Sequence, residues 1–395
     1  MADPIAAAYP FVEVRIDTSG LQPVAQRAPG VIAIVGVSNA GNADKNKPYE
    51  IDTLDDALKR FASLNNKDEV VPTALYSSLA LALLQDPKPS KIYGVKVDAG
   101  AYAPGLAALQ GLDDVTFVSL ANETSVGTAA TGGNNPTAAT GLHLLKDHVE
   151  NMSAAGSKRI GVAMVDPTTP AATDPNYVDD VKKAVESLRS DSSRIILVVA
   201  RQADGDVASA AMAAIAAYDP QVSVVLKRIR GVTIPPEAQF GPSEIKQLSE
   251  LGVIPIIKPS LIVGGGLYFG DGRTFTTDAS LLFIDIVRVL DDIDFRLKAG
   301  LVGAIGDARI TKAGMTLVKT RTEGILGPLQ RNAVIDGFEV RIPVLDILSV
   351  PESARSATDN TIVATARANR IVEMLVTVTY GPAVHRLRVT LAPKF

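Results

Sequence analysis

Short apolar runs alternate with segments of helical periodicity from residue 28 to about residue 257, and this alternation constrains the fold more than any other feature. The runs are rich in valine and isoleucine, as expected for strands buried on both faces of a sheet. The predicted strands are Val31–Val37, Ile92–Val97, Val115–Leu120, Arg159–Val165, Arg194–Ala200, Val222–Leu226 and Val253–Ile257. The predicted helices are Leu54–Ala62 and residues 74–85, 137–155, 176–189, 206–217 and 243–251. This order predicts an α/β domain with a mostly parallel sheet.

Several predicted helices begin with residues that suit a helix start. Thr53 precedes the first helix and is followed three positions later by Asp56, an arrangement that satisfies first-turn amides. Pro136, Pro175 and Pro242 each stand at or near a predicted start, where the missing N–H has no consequence.

A glycine-rich stretch, Lys258–Thr277, predicts the main domain boundary. We therefore expect an amino-terminal arm and linker at 1–27, an α/β core at 28–270 and an α+β module at 271–395. The second module is predicted to contain a helix over about 278–298, another over about 308–324, and β structure at its end.

Both termini carry strands with a period of two that lie outside the predicted core. Apolar residues alternate with polar ones between Val372 and Tyr380. The terminal arms, of which the second covers about 384–395, show the same alternation at Val12, Val14 and Ile16 and at Leu387, Val389 and Leu391. A lone strand must pair, so each arm either adds to the sheet of a neighbouring copy or folds back onto its own chain.

Composition excludes several classes of function. The 395 residues include 39 Lys and Arg against 43 Asp and Glu, a net charge of −4 that does not favour nucleic-acid binding by charge. The chain has no cysteine, so disulfides and thiolate chemistry are excluded. Met1–Pro10 lacks the features of a secretory signal, and no apolar run approaches the roughly 20 residues of a membrane span. We expect no membrane insertion.

One loop has the glycine spacing of a phosphate-binding loop. Gly36–Gly41 follows a predicted strand, but the next residues are Asn42 and Ala43 in place of the lysine and hydroxyl residue that bind phosphate and magnesium. Ser38 also fails the spacing of a nucleophile elbow. We interpret this segment as an ordinary strand-exit loop, and we expect no cofactor.

The chain offers few metal ligands or catalytic groups. It has three histidines, and His143 and His148 are five residues apart, which puts them on different faces of a helix. Asp291, Asp292 and Asp294 share a predicted helix with basic residues, so a solvated or intersubunit charged face explains them better than a metal site. We predict no metal site, no catalytic residues and no enzymatic activity.

Two groups of motifs resemble the contractile-tail sheath proteins of bacteriophages and related bacteriocins. The first group, near the amino terminus, comprises Pro29-Gly30-Val31, the strand IAIVG with its glycine-bearing loop, Asn46-Lys47-Pro48, Ile51, and a helix with Asp55 and Phe61. The second comprises a helix led by Leu282 and Phe283 with Arg288, a further helix, and a pair of strands after Gly337. The chain departs from the family in lacking the usual glycine after Phe61 and in being compact, which suggests that large outer decoration domains are absent.

The resemblance implies a structural function. Such proteins polymerise as stacked hexameric rings around an inner tube and contract to drive that tube through a target envelope. Terminal strands complete a sheet in an adjacent subunit. Expected partners are further copies of the chain, the inner tail tube protein, and baseplate and tail terminator proteins, in a virion tail assembled in the host cytoplasm. Contraction without a nucleotide site implies energy stored during assembly.

The resemblance also places the carboxyl-terminal module innermost, against the tube. Arg288, Arg296 and Lys298 are the predicted basic contacts to an acidic tube. The alternative is that these residues pair with aspartates of their own helix. Two other functions remain open: the sheath of a bacterial secretion or extracellular injection system, and a cytosolic α/β enzyme or ligand-binding protein.

Overall fold

A nine-stranded sheet with helices on both faces dominates the computed structural model, which describes residues 30–132, 137–168, 174, 176–263 and 265–385. The strands are β1 Val31–Val37, β2 Pro48–Glu50, β3 Ser63–Leu64, β4 Val70–Val71, β5 Lys91–Val97, β6 Phe117–Leu120, β7 Ile160–Met164, β8 Ile195–Val199, β9 Arg228–Ile229, β10 Val253–Ile257, β11 Leu267–Phe269, β12 Gly337–Arg341 and β13 Leu375–Thr379. The helices are α1 Leu54–Phe61, α2 Ala74–Leu83, α3 Tyr102–Ala108, α4 Leu142–Ala154, α5 Tyr177–Val185, α6 Val207–Ala216, α7 Pro242–Leu251, α8 Ile284–Leu301, α9 Lys312–Arg331, α10 Pro343–Ser349 and α11 Ala357–Asn369. This arrangement confirms the predicted α/β class.

Six parallel strands form the centre of the sheet, in the order β5-β1-β6-β7-β8-β10. The strands β2, β11 and β9 extend it with antiparallel pairs at its two edges. Two further sheets have two strands each, β12-β13 and β3-β4. The order of the parallel strands reverses between β1 and β6, which makes that point the topological switch of the sheet.

Alternate residues of the central strands pack into two separate cores. In β1, Ile32 and Ile34 join the core on one face, with α1, α2 and α6, whereas Val31, Ala33 and Val35 join the core on the other, with α3, α4, α5 and α7. Burial on both faces explains the continuous apolar runs in the sequence.

The predicted helix starts are confirmed at Thr53, which caps α1, and at Pro242, the first residue of α7, whereas Pro136 and Pro175 lie outside the described residues. The hydroxyl of Thr53 accepts a hydrogen bond from the amide of Asp56, and Thr73 and Asp206 cap α2 and α6 in the same way. All ten residues of α6 are buried, and its alanines allow this helix to lie close to the sheet.

Most of the predicted elements are present, and the differences have local causes. The predicted strand Val222–Leu226 is wrong: Leu226 has a φ of +58°, which belongs to a turn, and the strand that follows is Arg228–Ile229. The predicted helix at 137–155 begins at Leu142, and the helix expected from about 278 begins at Ile284. Sequence patterning missed α3, α10 and α11.

The chain divides into two compact units. Of the described residues, the larger unit contains 30–295, 329–339 and 376–385, and the smaller unit contains 296–328 and 340–375. The core of the smaller unit is formed by residues such as Met315, Leu348 and Val363. The expected boundary near residue 270 stays a prediction, and residues 271–295 belong to the larger unit, where Ile284 and Val287 are part of the core. No helix among the described residues is both long and apolar enough to cross a bilayer.

Candidate subunit interface

The strands β12 and β13 form an isolated ribbon, which we call the carboxyl-terminal ribbon. The amide of Asp336 donates to the carbonyl oxygen of Thr379 at 2.8 Å, so the start of β12 lies beside the end of β13, as in an antiparallel pair. Among the described residues no third strand joins either edge. Because a two-stranded sheet is marginal in water, this ribbon is a natural acceptor for further strands.

The exposure pattern of β13 confirms the period of two that the sequence predicts. Val376 and Val378 are half-buried, whereas Leu375, Thr377 and Thr379 are exposed. Neither face of this strand is fully covered within the described part of the chain, which is the state expected of a strand whose sheet is incomplete.

A partly buried hydrogen bond fixes the end of β13 to the core helix α8. The hydroxyl of Tyr380 donates to Oδ2 of Asp285 at 2.7 Å, and Asp285 is itself buried. Burial, together with the adjacent carboxylate, raises the pKa of Tyr380 above its usual value, so the phenol keeps its proton and remains a donor. Sequence reasoning missed this bond, because nothing in the local pattern links residues 95 positions apart.

The chain continues from the ribbon toward its carboxyl terminus along the larger unit. His385 lies with Nε2 2.9 Å from the hydroxyl of Ser223, and its ring meets the ring of Phe283 edge-on at 5.1 Å. The predicted arm residues Val12, Val14, Ile16, Leu387, Val389 and Leu391 lie outside the described residues. Their exchange between subunits therefore stays a prediction.

The edges of the nine-stranded sheet are less suited to strand addition. At β9, the Gln85 side chain donates from Nε2 to the carbonyl of Arg230 at 2.9 Å and accepts from its amide at 3.0 Å, which occupies the edge. At the other edge, β2 is three residues long, begins with Pro48 directly after Lys47, and ends at Glu50, which pairs with Lys91. Short strands, proline and lysine all oppose pairing with another chain. The carboxyl-terminal ribbon is therefore the better acceptor.

Arg288 is a structural residue of the larger unit rather than an exposed basic group. Its guanidinium donates to the carbonyl oxygens of Tyr218 at 2.5 Å and Asp219 at 3.3 Å and lies 5.6 Å from the ring of Phe117. Only 4% of the residue is exposed, and burial lowers its pKa to about 10, so it stays charged at neutral pH. We therefore correct the tube-facing prediction for Arg288, because the side chain is enclosed within its own chain.

The other charged residues of α8 divide between internal pairs and the surface. Asp291 forms an ion pair with Arg194, and Asp285 accepts from the tyrosine described above. Arg296 is half-buried and Lys298 is exposed. A contact between these two basic residues and a tube stays a prediction.

The place where an α/β enzyme usually binds its ligand is filled by side chains here. In such sheets the crevice lies at the carboxyl ends of the strands, at the topological switch. There the buried carboxylate of Asp206 accepts from the hydroxyls of Ser78 and Ser209, both at 2.6 Å, and from the amide of Asn122 at 3.0 Å. A Cβ added at Gly36 would lie 2.4 Å from Cβ of Ala121, so the strands pack there without a gap.

An open cleft of about 600 Å³ lies nearby, at the carboxyl ends of β1 and β5. Its charged groups are engaged: Lys45 pairs with Asp98 at 2.8 Å, and Lys96 donates to the carbonyl of Ala40 at 3.0 Å. Ser38 in the same loop donates to the carbonyl of Phe61 at 2.9 Å. These contacts agree with the interpretation of residues 36–41 as a strand-exit loop.

The histidines on α4 have separate structural contacts. His143 lies 3.1 Å from the hydroxyl of Ser187, and His148 accepts from Nη1 of Arg159 at 2.9 Å. Among the described residues, no three carboxylate or imidazole groups are placed to hold a metal ion.

Comparison with known proteins gives structural matches only. No protein-family model and no curated protein sequence matches the chain. The helical sheath of the anti-feeding prophage in its contracted state matches with a TM-score of 0.62 at 13% identity, over 98% of this chain and 99% of that one. The contracted sheath complex of the PVC extracellular contractile injection system gives 0.64 at 12% identity, over 98% and 97%. The sheath tail protein Lin1278 of Listeria innocua gives 0.51 at 13% identity, over 81% and 89%. The chain therefore has the fold of contractile sheath proteins.

Proposed function

We propose that this chain is the structural subunit of a contractile sheath. In this proposal it polymerises as stacked hexameric rings around an inner tube and shortens to drive that tube through a target envelope. The observation that carries the proposal is the match to the PVC sheath chain, which extends over nearly the whole of both chains. A match over 98% of this chain extends beyond the α/β body, which is the part that an unrelated α/β enzyme would share.

The carboxyl-terminal ribbon supplies the means of linkage in this proposal. Its open edges accept the terminal strands of neighbouring copies, centred on Val12 to Ile16 and on Leu387 to Leu391. Each main-chain hydrogen bond gained contributes about 0.5–1.5 kcal/mol net. Contacts that run head to tail do not close, so they build a helical tube rather than a compact oligomer.

Contraction in this proposal uses energy stored during assembly rather than a nucleotide. The extended array is kinetically trapped, and the contracted array has the better subunit packing. Strand linkage keeps the copies connected while their bodies rotate and slide.

The partners in this proposal are other copies of the chain, an inner tail tube protein, and baseplate and tail terminator proteins. Baseplate association is supported by a further match, to a chain in the baseplate of the anti-feeding prophage, with a TM-score of 0.63 at 14% identity. Arg296 and Lys298 are the proposed contacts to the tube. The assembled product is a virion tail that forms in the host cytoplasm.

The particle that contains this sheath is, in a second candidate function, an extracellular injection system rather than a phage tail. The matched anti-feeding prophage and PVC particles favour it, because the PVC structure is described as such a system. Neighbouring genes discriminate between the two: capsid and packaging genes indicate a phage, and their absence beside tube and baseplate genes indicates an injection system.

Electron microscopy of the purified chain tests the proposal. We expect long hollow tubes in negative stain, whereas small uniform particles would favour an enzyme or a binding protein. Two truncations test the linkage: removal of residues 1–19, or of residues 382–395, should leave folded subunits that form no tubes. Normal tubes from either truncation would contradict the exchange of terminal strands.

A further inference from the structure

The strands β3 and β4 form a short hairpin with an apolar face exposed to solvent. Leu64 pairs directly with Val70, so the two side chains lie side by side on one face. They are 51% and 40% exposed. A directly paired, solvent-exposed aliphatic couple on a hairpin is a feature of contact surfaces.

The tip of this hairpin is held in one conformation by a single side chain. The Oδ1 atom of Asn65 accepts from the amides of Lys67 at 2.8 Å and Glu69 at 3.0 Å, and its Nδ2 donates to the Glu69 carboxylate at 2.8 Å. The apolar pair and the acidic Asp68 and Glu69 are therefore presented on a rigid element, which reduces the entropy lost on binding.

A cleft of about 390 Å³ lies on the same unit and has complementary chemistry. It is lined by the apolar Leu84 and by the exposed cations Arg228 and Lys258. The loop that continues from Lys258 carries Leu261 and Val263, which are 94% and 99% exposed. Among the described residues, neither cation forms an ion pair with its own chain. The cleft thus combines an apolar rim with uncompensated positive charge.

The hairpin and the cleft lie at opposite ends of one helix. The strand β4 ends three residues before α2 begins, and Leu84 directly follows the last residue of α2. Ten helical residues span about 15 Å, so the hairpin of a copy cannot fill that copy's own cleft.

We propose that the hairpin of one copy docks in this cleft of a second copy. Leu64 and Val70 then pack against Leu84 and the exposed aliphatic loop. Asp68 and Glu69, whose two negative charges exceed the single positive charge of Lys67 at the tip, face the two cations. The two halves of the contact are different surfaces of the same chain, so the contact is heterologous and repeats without closing. The inference rests on the proposed function, because it names one contact by which the sheath polymer grows.

Cysteine cross-linking tests the contact directly, since the chain has no cysteine of its own. The variants Val70→Cys and Leu261→Cys are mixed, assembled and oxidised. We expect a disulfide-linked dimer that contains one chain of each kind. The matched control replaces Val70→Cys by Leu54→Cys, at a leucine that is 51% exposed outside the hairpin. A yield no greater than that of the control would overturn the inference.

Charge exchange provides an independent test. Glu69→Lys and Lys258→Glu should each raise the critical concentration for assembly severalfold, up to about tenfold. When both substitutions are made in one chain, the critical concentration should return to within about threefold of that of the unmodified protein. Every contact between copies then again joins opposite charges. A critical concentration of the double variant that stays as high as that of the single variants would overturn the inference.

The two proposals fail in different ways. Tubes from the unmodified chain together with unchanged assembly in both single variants would overturn this contact and leave the sheath function intact. If the unmodified chain forms no tubes, the sheath function fails, and the mixed cysteine variants still decide whether the hairpin binds the cleft.

Discussion

The buried basic residue Arg288 is held by hydrogen-bond acceptors that are distant in sequence. Arg288 is 4% exposed, and its guanidinium meets backbone carbonyls about 70 positions away. In the sequence it stands among charged residues of a long helix, so its pattern indicates a surface residue. Burial depends on which element packs against that turn of the helix, and this information is not local.

Replacement of Arg288 should destabilise the protein rather than weaken an external contact. Arg288→Met leaves the carbonyls of Tyr218 and Asp219 without their donor, and we expect a loss of about 2–5 kcal/mol in the free energy of unfolding. The control Lys298→Met, at an exposed site, should change it by less than about 0.5 kcal/mol. Urea unfolding at neutral pH measures both, and equal midpoints for the two variants would contradict the structural role.

A charge reversal at Lys298 tests tube binding separately from stability. Lys298→Glu should loosen the attachment of the sheath to its tube without shifting the urea midpoint. Unchanged attachment, measured by co-sedimentation of sheath with tube, would remove Lys298 from the proposed contact.

His148 gives the larger unit an acid-sensitive position. Burial and the adjacent Arg159 lower the pKa of its imidazole to about 4 from the ordinary 6.5. As the pH falls below about 6.5, the unfolded chain binds a proton before the folded chain does, so stability declines until about pH 4. The decline attributable to this group is about 2–3 kcal/mol at about pH 4.5.

His148→Gln should remove this part of the pH dependence. Glutamine still offers Arg159 an acceptor but does not titrate, so the change in urea midpoint between neutral pH and about pH 4.5 should be smaller in the variant. The same slope in both proteins would show that other groups cause the acid sensitivity.

At the scale of elements, the sequence predicts best where one local force decides. The strand Val253–Ile257 is found with the bounds expected from its apolar run, because burial on both faces requires such a run. An apolar run at Val222–Leu226 forms turns instead, since the backbone at Leu226 is left-handed. The helix Tyr102–Ala108 was missed because it contains both Pro104 and Gly105.

The candidate interface was predictable in part for the same reason. The period of two over Leu375–Thr379 is local, and the structure confirms it. The bond of Tyr380 to Asp285 and the blocking of the β9 edge by Gln85 join residues about 100 or more positions apart, which no short pattern reveals.

Proline placed on β13 distinguishes strand addition from ordinary packing. The carbonyl of Thr379 faces β12. Because the backbone groups of successive strand residues point to opposite sides, the amide of Thr377 also faces β12, whereas the amide of Val378 faces the outer edge. Val378→Pro should therefore preserve the ribbon but remove a donor from its outer edge, giving folded subunits that form few or no tubes. Circular dichroism checks the fold, and electron microscopy checks the tubes.

The matched variant is Thr377→Pro, which removes an amide that faces the partner strand. It should disrupt the ribbon itself and increase amide exchange over residues 337–341, whereas Val378→Pro should not. Normal tubes from Val378→Pro would contradict strand addition at this edge.

At the scale of the molecule, the described surfaces are of two kinds: those closed by the chain's own side chains and those left open for contact. The central sheet is buried on both faces, and side chains around Asp206 fill its switch point. At its edges, Gln85 occupies the backbone groups beside β9, and Pro48 begins β2. The open features that we assign to subunit contacts are the carboxyl-terminal ribbon, the β3-β4 hairpin and the cleft beside Lys258. Several separate contact elements are suited to a polymer whose subunits rearrange without unfolding.

Such a polymer should contract without any added nucleotide. If the extended sheath is a trapped state, mild urea or warming allows it to cross the barrier between the two arrays. Contraction should then release heat, because the closer packing of the contracted array gains contact enthalpy. Scanning calorimetry of extended sheaths should show an exothermic transition below the unfolding endotherm, with shortened tubes in electron micrographs afterwards. Removal of the urea should not restore the extended length. Re-extension on dilution, or contraction only after a nucleotide is added, would contradict storage of the energy in the assembly.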